Sequence, residues 1–260
     1  MNSLFDIKGK IALVTGGANG MGRMIAEGLV DAGVKVYITS RKVDDCEQAA
    51  QAMSQRGQCI GLAIDLSTPE AAVELAEQIK ARETKLDIII NNAGKTWGAP
   101  LESFPDKAWA SVMAVNVQGP FTVVRELLPL LEASGAADGN DPARVMNIGS
   151  LAGKRVEGLD AFSYTASKAA IHHLSREMAA VLAGRNIAVN TIVPGYFPTK
   201  MTAHIRSDDE ESSKFASRIP LGRMGSAEDI VGLCIFLSSR AGAYITGSEI
   251  VLDGGIAGCK

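Results

Sequence analysis

The chain has 260 residues, 47% of them hydrophobic and 21% charged, with 27 glycines and a formal net charge of −3. That is enough for one sizeable core, too little for two ordinary domains, and far from disordered or fibrous compositions. The weakly acidic balance, with basic residues scattered, predicts neither a nucleic acid nor an anionic membrane surface as partner, and no apolar run approaches the ~20 residues that span a bilayer.

The opening MNSLFDIKGKIALVTGG has no charged segment followed by a long apolar stretch, so a cytoplasmic protein is expected. Along the chain, strand-like apolar runs fall at 10–15, 34–39, 58–64, 86–91, 143–148, 186–193 and 249–252. Helical patterns lie between them at 20–32, 43–56, 69–83, 106–132, 163–184 and 226–238, with a shorter irregular helical piece expected within 199–219. Such alternation predicts an α/β fold: one domain over 1–260, doubly wound, with a seven-stranded parallel sheet and helices on both faces. The small, polar stretch ASGAADGNDPA (133–143) reads as an extended surface loop. Cys46, Cys59, Cys234 and Cys259 are widely spaced, with no C-x-x-C and no histidine at zinc-ligand intervals. Incidental or buried thiols are expected, and no metal.

The first stretch with chemical content is TGGANGMG, Thr15 to Gly22, directly after a strand and opening a helix. Gly16, Gly20 and Gly22, with Met21 between the last two, sit where a tight strand-to-helix turn would aim backbone N–H groups and a helix N-terminus at a pyrophosphate. In that context the glycines point to a dinucleotide in a Rossmann fold. The second is SYTASKAAIHHLSREM, where Tyr164 and Lys168 are four residues apart on one helix face. A phenol beside an ammonium is general acid/base equipment, the cation favouring phenolate and lowering the tyrosine pKa. His172 and His173 follow on the same helix and read as packing or interface residues.

The spacing G-x-x-x-G-x-G resembles the short-chain dehydrogenase/reductase family, and the resemblance runs nearly the whole chain. It includes the NNAG motif (Asn91, Asn92, Ala93, Gly94), Asn116 in VNVQG, Ser150 in NIGS, Tyr164 to Lys168, Pro194 and Gly195 followed by Thr199, and a C-terminal ITG…DGG. It implies a ketone reductase in which Tyr164 gives a proton to the carbonyl oxygen, Ser150 donates a hydrogen bond to it, and Lys168 favours tyrosinate and holds the nicotinamide ribose. It also implies that the Asn116 backbone holds a proton-passing water, that Asn92, Ala93, Gly94, Pro194, Gly195 and Thr199 line the cofactor site, that Asp65 with Leu66 contacts adenine, and that the protein is a homotetramer. The resemblance implies pairing through the 106–132 and 163–184 helices, and Val123, Val124, Leu127, Leu128, Leu130 and Leu131 are more than one buried stripe requires.

At the end of the second strand the chain runs Thr39, Ser40, Arg41, Lys42, with no carboxylate for the ribose hydroxyls of NAD. Arg41 and Lys42 suit a 2′-phosphate instead, so NADP(H) is expected, although Asn19 stands where many NADP-using relatives carry a basic residue. The segment 199–225 resembles a substrate lid, with Trp97, Tyr196, Met201 and Phe215 as candidate apolar pocket residues. Through NIGSLAG, LLPLLEASG and PGYFPTKMT the chain resembles 3-oxoacyl thioester reductases, including the type associated with rhamnolipid synthesis. The helices lack the arginines by which carrier-protein reductases meet an acidic carrier, having Ala179 and Ala180 in one such place, so acyl-CoA and free ketones stay open as substrates. A gluconate-type sugar or alcohol dehydrogenase and a non-catalytic dinucleotide-binding regulator are the alternatives; the intact Ser150, Tyr164 and Lys168 argue against the latter.

Overall fold

The computed structural model describes residues 3–137, 139–199 and 215–259. Seven strands form one parallel sheet, β1 (Ile11–Val14), β2 (Lys35–Ser40), β3 (Cys59–Ala63), β4 (Ile88–Asn91), β5 (Ala143–Ile148), β6 (Ile187–Pro194) and β7 (Glu249–Leu252), in the order β3-β2-β1-β4-β5-β6-β7. The central strands are apolar without interruption because both faces are covered. Ala12, Val14, Val36, Ile38, Ile88 and Ile90 pack on one side with α1 (Gly20–Asp31), α2 (Val43–Ser54) and α7 (Ala227–Ser238). Leu13, Tyr37, Ile89, Val145 and Val189 pack on the other with α3 (Pro69–Lys80), α5 (Gly119–Ala137) and α6 (Phe162–Leu182). β1 pairs with β2 on one side and β4 on the other. The chain therefore reverses its winding there, and the carboxyl ends of these strands open a crevice, the place where ligands bind in doubly wound sheets.

Two expectations are corrected. The predicted 106–132 helix is α4 (Asp106–Met113), a π-helical turn (Ala114–Gln118) and α5. The π turn carries Asn116, which is buried with its side chain engaged on both sides, as shown below. The predicted loop at 133–143 begins inside α5, which runs on to Ala137 because Ser134 and Gly135 are buried. The Ser134 hydroxyl donates to Asp87 Oδ1 at 2.5 Å, and Gly135 O accepts from Asn186 Nδ2 at 2.6 Å. Small residues there allow close packing rather than a turn.

Among the described residues no helix is long and apolar enough to cross a membrane, and no cluster of His, Cys, Asp or Glu could hold a metal ion. Val123, Val124, Leu127, Leu130 and Leu131 are buried in the protomer's own core, so they are not the spare interface residues expected from the sequence. The large apolar side chains left exposed on α4, α5 and α6 are Trp109, Phe121 and Val181.

Candidate active site

A cleft of about 520 Å³ lies over the carboxyl ends of the strands. It gathers Gly16, Gly20, Met21, Ser40, Arg41, Asp65, Leu66, Asn92, Ala93, Gly94, Ser150, Tyr164, Lys168, Pro194, Gly195 and Thr199. Gly22, Lys42 and Asn116, also expected at the site, are not part of its lining.

The turn from β1 to α1 forms one wall. Gly16 (φ +66°) and Gly20 (φ +55°) have left-handed backbones that glycine adopts without strain. A Cβ on Gly20 would project towards Thr199, 3.6 Å away, narrowing the cleft. Asn19 precedes α1 without capping it and spends its side-chain amide on Asp45 at 3.2 Å. The first-turn N–H groups of α1 are thus left for a ligand, and the helix N-terminus favours an anion. Gly22 serves packing instead, since a Cβ there would meet Asn92 Nδ2 at 2.3 Å and Gly16 O at 2.4 Å. Two residues not singled out from the sequence hold this wall. The buried Thr15 hydroxyl accepts from the N–H groups of Asn92 and Ala93, both at 3.0 Å, and the Thr39 hydroxyl accepts from Gly16 N at 3.1 Å. Thr15 was visible as the first letter of TGGANGMG; a strand-end threonine such as Thr39 carries no sequence signal of its own.

At the end of β2, Arg41 is exposed on the rim and Ser40 half-buried. Among the described residues no carboxylate lies within ion-pair distance of Arg41. Lys42 instead stands at the start of α2, its N–H on Ser40 Oγ at 3.3 Å, with its side chain outside the cleft lining.

The opposite wall is made by α6 against the end of β5. Lys168 is buried and its ammonium donates to Ile148 O at 2.7 Å. Burial brings its pKa down to about 8. The Tyr164 hydroxyl is pushed up by burial, while a hydrogen bond from Ser150 pulls it down. This corrects the depressed tyrosine expected from the four-residue spacing: the Lys168 Nζ is 5.7 Å from the Tyr164 ring centre and engages a carbonyl, so desolvation prevails. Ser150 Oγ also accepts from Ala152 N at 3.2 Å. Asn116 stands behind this wall: its amide donates to Lys95 O and Ser167 Oγ, both at 2.9 Å, and its oxygen accepts from Lys95 N at 2.8 Å. Ser167 in turn donates to Tyr164 O at 2.7 Å, so Asn116 braces both the 95 loop and α6.

On the substrate side, Tyr196 and Phe215 pack edge-on with ring centres 4.6 Å apart, and the Tyr196 hydroxyl donates to Glu157 at 2.6 Å. Trp97 is exposed. Met201 and the expected lid between 200 and 214 lie outside the described residues. His172, read from the sequence as packing, is buried beside Ser150, its Nε2 accepting from Ser150 N at 3.2 Å. Its place four residues after Lys168 and eight after Tyr164 was the available signal.

The family model described as Enoyl-(Acyl carrier protein) reductase matches residues 16–257. The rhamnolipids biosynthesis 3-oxoacyl-[acyl-carrier-protein] reductase of Pseudomonas aeruginosa is 46% identical over 98% of this chain and 99% of its own length. The gluconate 5-dehydrogenase of Gluconobacter oxydans is 33% identical over 97% of this chain and 96% of its own. Among solved structures, the Pseudomonas aeruginosa RhlG/NADP active-site complex superposes with a TM-score of 0.94 at 45% identity, covering 98% of this chain and 99% of that one.

Proposed function

Because the chain belongs to the short-chain dehydrogenase/reductase family, we propose that it reduces the ketone of a 3-oxoacyl thioester to a secondary alcohol with NADPH. The observation that carries this reading is one cleft with a serine, tyrosine and lysine cluster in one wall and, on its rim, an exposed arginine that pairs with no carboxylate among the described residues.

The residues fit the cofactor. Uncapped N–H groups of α1 beside Gly16, Gly20 and Met21 suit the pyrophosphate. Ser40 and Arg41 suit a 2′-phosphate, Asp65 and Leu66 the adenine, and Asn92 to Gly94 with Pro194, Gly195 and Thr199 the ribose and nicotinamide portion. When bound, NADPH supplies the hydride for the carbonyl carbon.

The protein's part is the proton and the charge on oxygen. Tyr164, its pKa raised by burial, is a loaded phenol at neutral pH and gives its proton to the carbonyl oxygen. Ser150 donates a hydrogen bond where negative charge develops on that oxygen. Lys168, fixed on Ile148 O, keeps a cation beside the tyrosinate that results. The Asn116 side chain braces the wall, both ends of its amide being engaged by Lys95 and Ser167, and its backbone keeps the role of holding the proton-passing water. Segment 199–225 acts as the substrate lid. We further propose a homotetramer, supported by exposed Phe121 on α5, by exposed Val251 in the edge strand β7 and by exposed Tyr244 shortly before it, and a cytoplasmic location, in keeping with four unpaired cysteines.

The test is NADPH oxidation by the purified protein with 3-oxoacyl-CoA, 3-oxoacyl carrier protein and 5-ketogluconate in parallel. Turnover of a thioester with kcat/KM at least tenfold above the keto sugar is expected; the reverse order would transfer the assignment to sugar reduction.

A further inference from the structure

α6 meets the end of β5 at successive points. Tyr164, Lys168 and His172 occur at four-residue steps, so they share one helix face. Lys168 takes the carbonyl of residue 148, and the hydroxyl of Tyr164 meets that of Ser150. His172 takes a backbone donor of the same segment, the N–H of Ser150, at 3.2 Å. The imidazole lies so close to residue 149 that a Cβ there would sit 2.2 Å from Nε2; only glycine admits it.

For Nε2 to accept, it must carry the lone pair, which puts the proton of the neutral ring on Nδ1. Nδ1 faces Glu249 Oε2 at 3.6 Å across the start of β7. The same carboxylate receives Lys154 at 3.0 Å and Arg176 of α6. Lys154 closes the loop that starts at Ser150, so Glu249 holds both the far end of that loop and the histidine under its near end. A core histidine with no further role would not need this arrangement, because an apolar side chain fills such space at less desolvation cost. Here an apolar replacement would strand a buried N–H donor next to the serine hydroxyl that must be aimed. The surroundings keep the ring in its accepting form: burial, with Lys168, Lys154 and Arg176 adding to it and Glu249 opposing, brings His172 down to about 4.

We propose that His172, backed by Glu249, is a positioning residue for catalysis: it fixes the Ser150 loop on α6 so that the Ser150 hydroxyl reaches Tyr164 and the substrate oxygen. The proposal rests on the role given to Ser150 above.

The experiment compares His172→Leu, His172→Asn, His172→Gln, Ser150→Ala and the double variant Ser150→Ala/His172→Leu, using the thioester turned over best in the substrate screen. Gln places an amide oxygen about where Nε2 lies, whereas Asn is too short to reach the Ser150 N–H. His172→Leu and His172→Asn are expected to lose kcat by about ten- to a hundredfold, the scale of a misplaced reacting group, with KM and the NADPH Kd changed less than about twofold. His172→Gln should recover most of the loss, and the double variant should be no slower than Ser150→Ala, since one pathway cannot be broken twice. Should the leucine variants not fold, the Asn and Gln pair decides by itself. A slow Ser150→Ala beside a His172→Asn of wild-type kcat, equal loss in the Asn and Gln variants, or multiplying losses in the double variant would overturn the positioning role alone. A Ser150→Ala enzyme of wild-type kcat would overturn the serine's role and the positioning role with it.

Discussion

Replacing Arg41 with alanine tests whether the rim of β2 selects the cofactor. Arg41 is exposed, lines the cleft, and among the described residues has no carboxylate competing for its guanidinium. A 2′-phosphate arriving there would form charge-assisted hydrogen bonds worth roughly 1.5–3 kcal/mol. Solvent exposure places this contact at the weak end, ~1.5–2 kcal/mol, so the NADPH Kd should rise about ten- to thirtyfold. NADH has no phosphate to lose, and its Kd should hardly move. Lys42 lies outside the cleft lining, so Lys42→Ala should cost only the ~0.2–1 kcal/mol of a solvated charge. Ser40→Asp should reverse the preference by repelling the phosphate and offering a carboxylate to the ribose hydroxyls. Fluorescence titration of both nucleotides in one buffer, at low and high salt, is the assay. The Arg41 effect should shrink with salt, because the screening length falls from ~10 Å at 0.1 M to ~3 Å at 1 M. Equal weakening of NADPH and NADH in Arg41→Ala, or wild-type affinity as high for NADH as for NADPH, would refute the reasoning.

Tyr164→Phe should lower kcat by at least about 10²-fold with the NADPH Kd nearly unchanged, and Ser150→Ala should cost on the order of 10²-fold; steady-state kinetics with nucleotide titration checks both. His172 titrates near 4 in the folded chain instead of 6.5, so between those values the unfolded state binds more protons and stability falls as pH drops from about 6.5 to 4. The loss attributable to this residue is at most ~3 kcal/mol. Denaturant midpoints across that range should slope less in His172→Gln; identical slopes would sink the assignment. Arg144 is buried and donates to Leu237 O and Ser239 O at 2.8 and 3.0 Å while pairing with Asp141. Arg144→Met should therefore destabilise by about 3–5 kcal/mol, seen as a lower thermal midpoint with kcat of the folded fraction intact. Light scattering at micromolar concentration should give four times the mass of one 27.3 kDa chain; a monomeric mass would refute the tetramer.

The sheet was legible because its strands are short and largely apolar, the central ones covered on both faces, so their ends coincide with changes in composition. ARVMNI and EIVL, for instance, are β5 and β7 residue for residue. The glycines of the first turn were legible because backbone geometry restricts residue type there, and Gly16 and Gly20 do hold positive φ. What stayed hidden depends on three-dimensional neighbours. Ser134 and Gly135 look like loop formers until Asp87 and Asn186 are seen against them. The π turn around Asn116 has no signature in a sequence read at 3.6 residues per turn. Leu127 and Leu131 look surplus on a helical wheel, yet α5 is flanked by β4, β5 and α3 and buries a broad face.

The tyrosine is the most instructive case, because a four-residue spacing establishes only that two side chains share a face. Whether the lysine lowers the tyrosine pKa depends on where the ammonium points and how dry the phenol is. In this fold β5 ends beneath α6, so the Ile148 carbonyl takes the ammonium and desolvation sets the direction. The consequence suits reduction: a phenol kept protonated at neutral pH is ready to donate, and the nearby hydroxyl and cation matter once its proton has gone. The end of β5 thus holds the lysine through the carbonyl of residue 148, and the loop just after it is held to α6 through the N–H of residue 150. Acid strength and geometry are set together by one helix lying across one strand end, and a substitution that shifts this contact should alter kcat before it alters cofactor affinity.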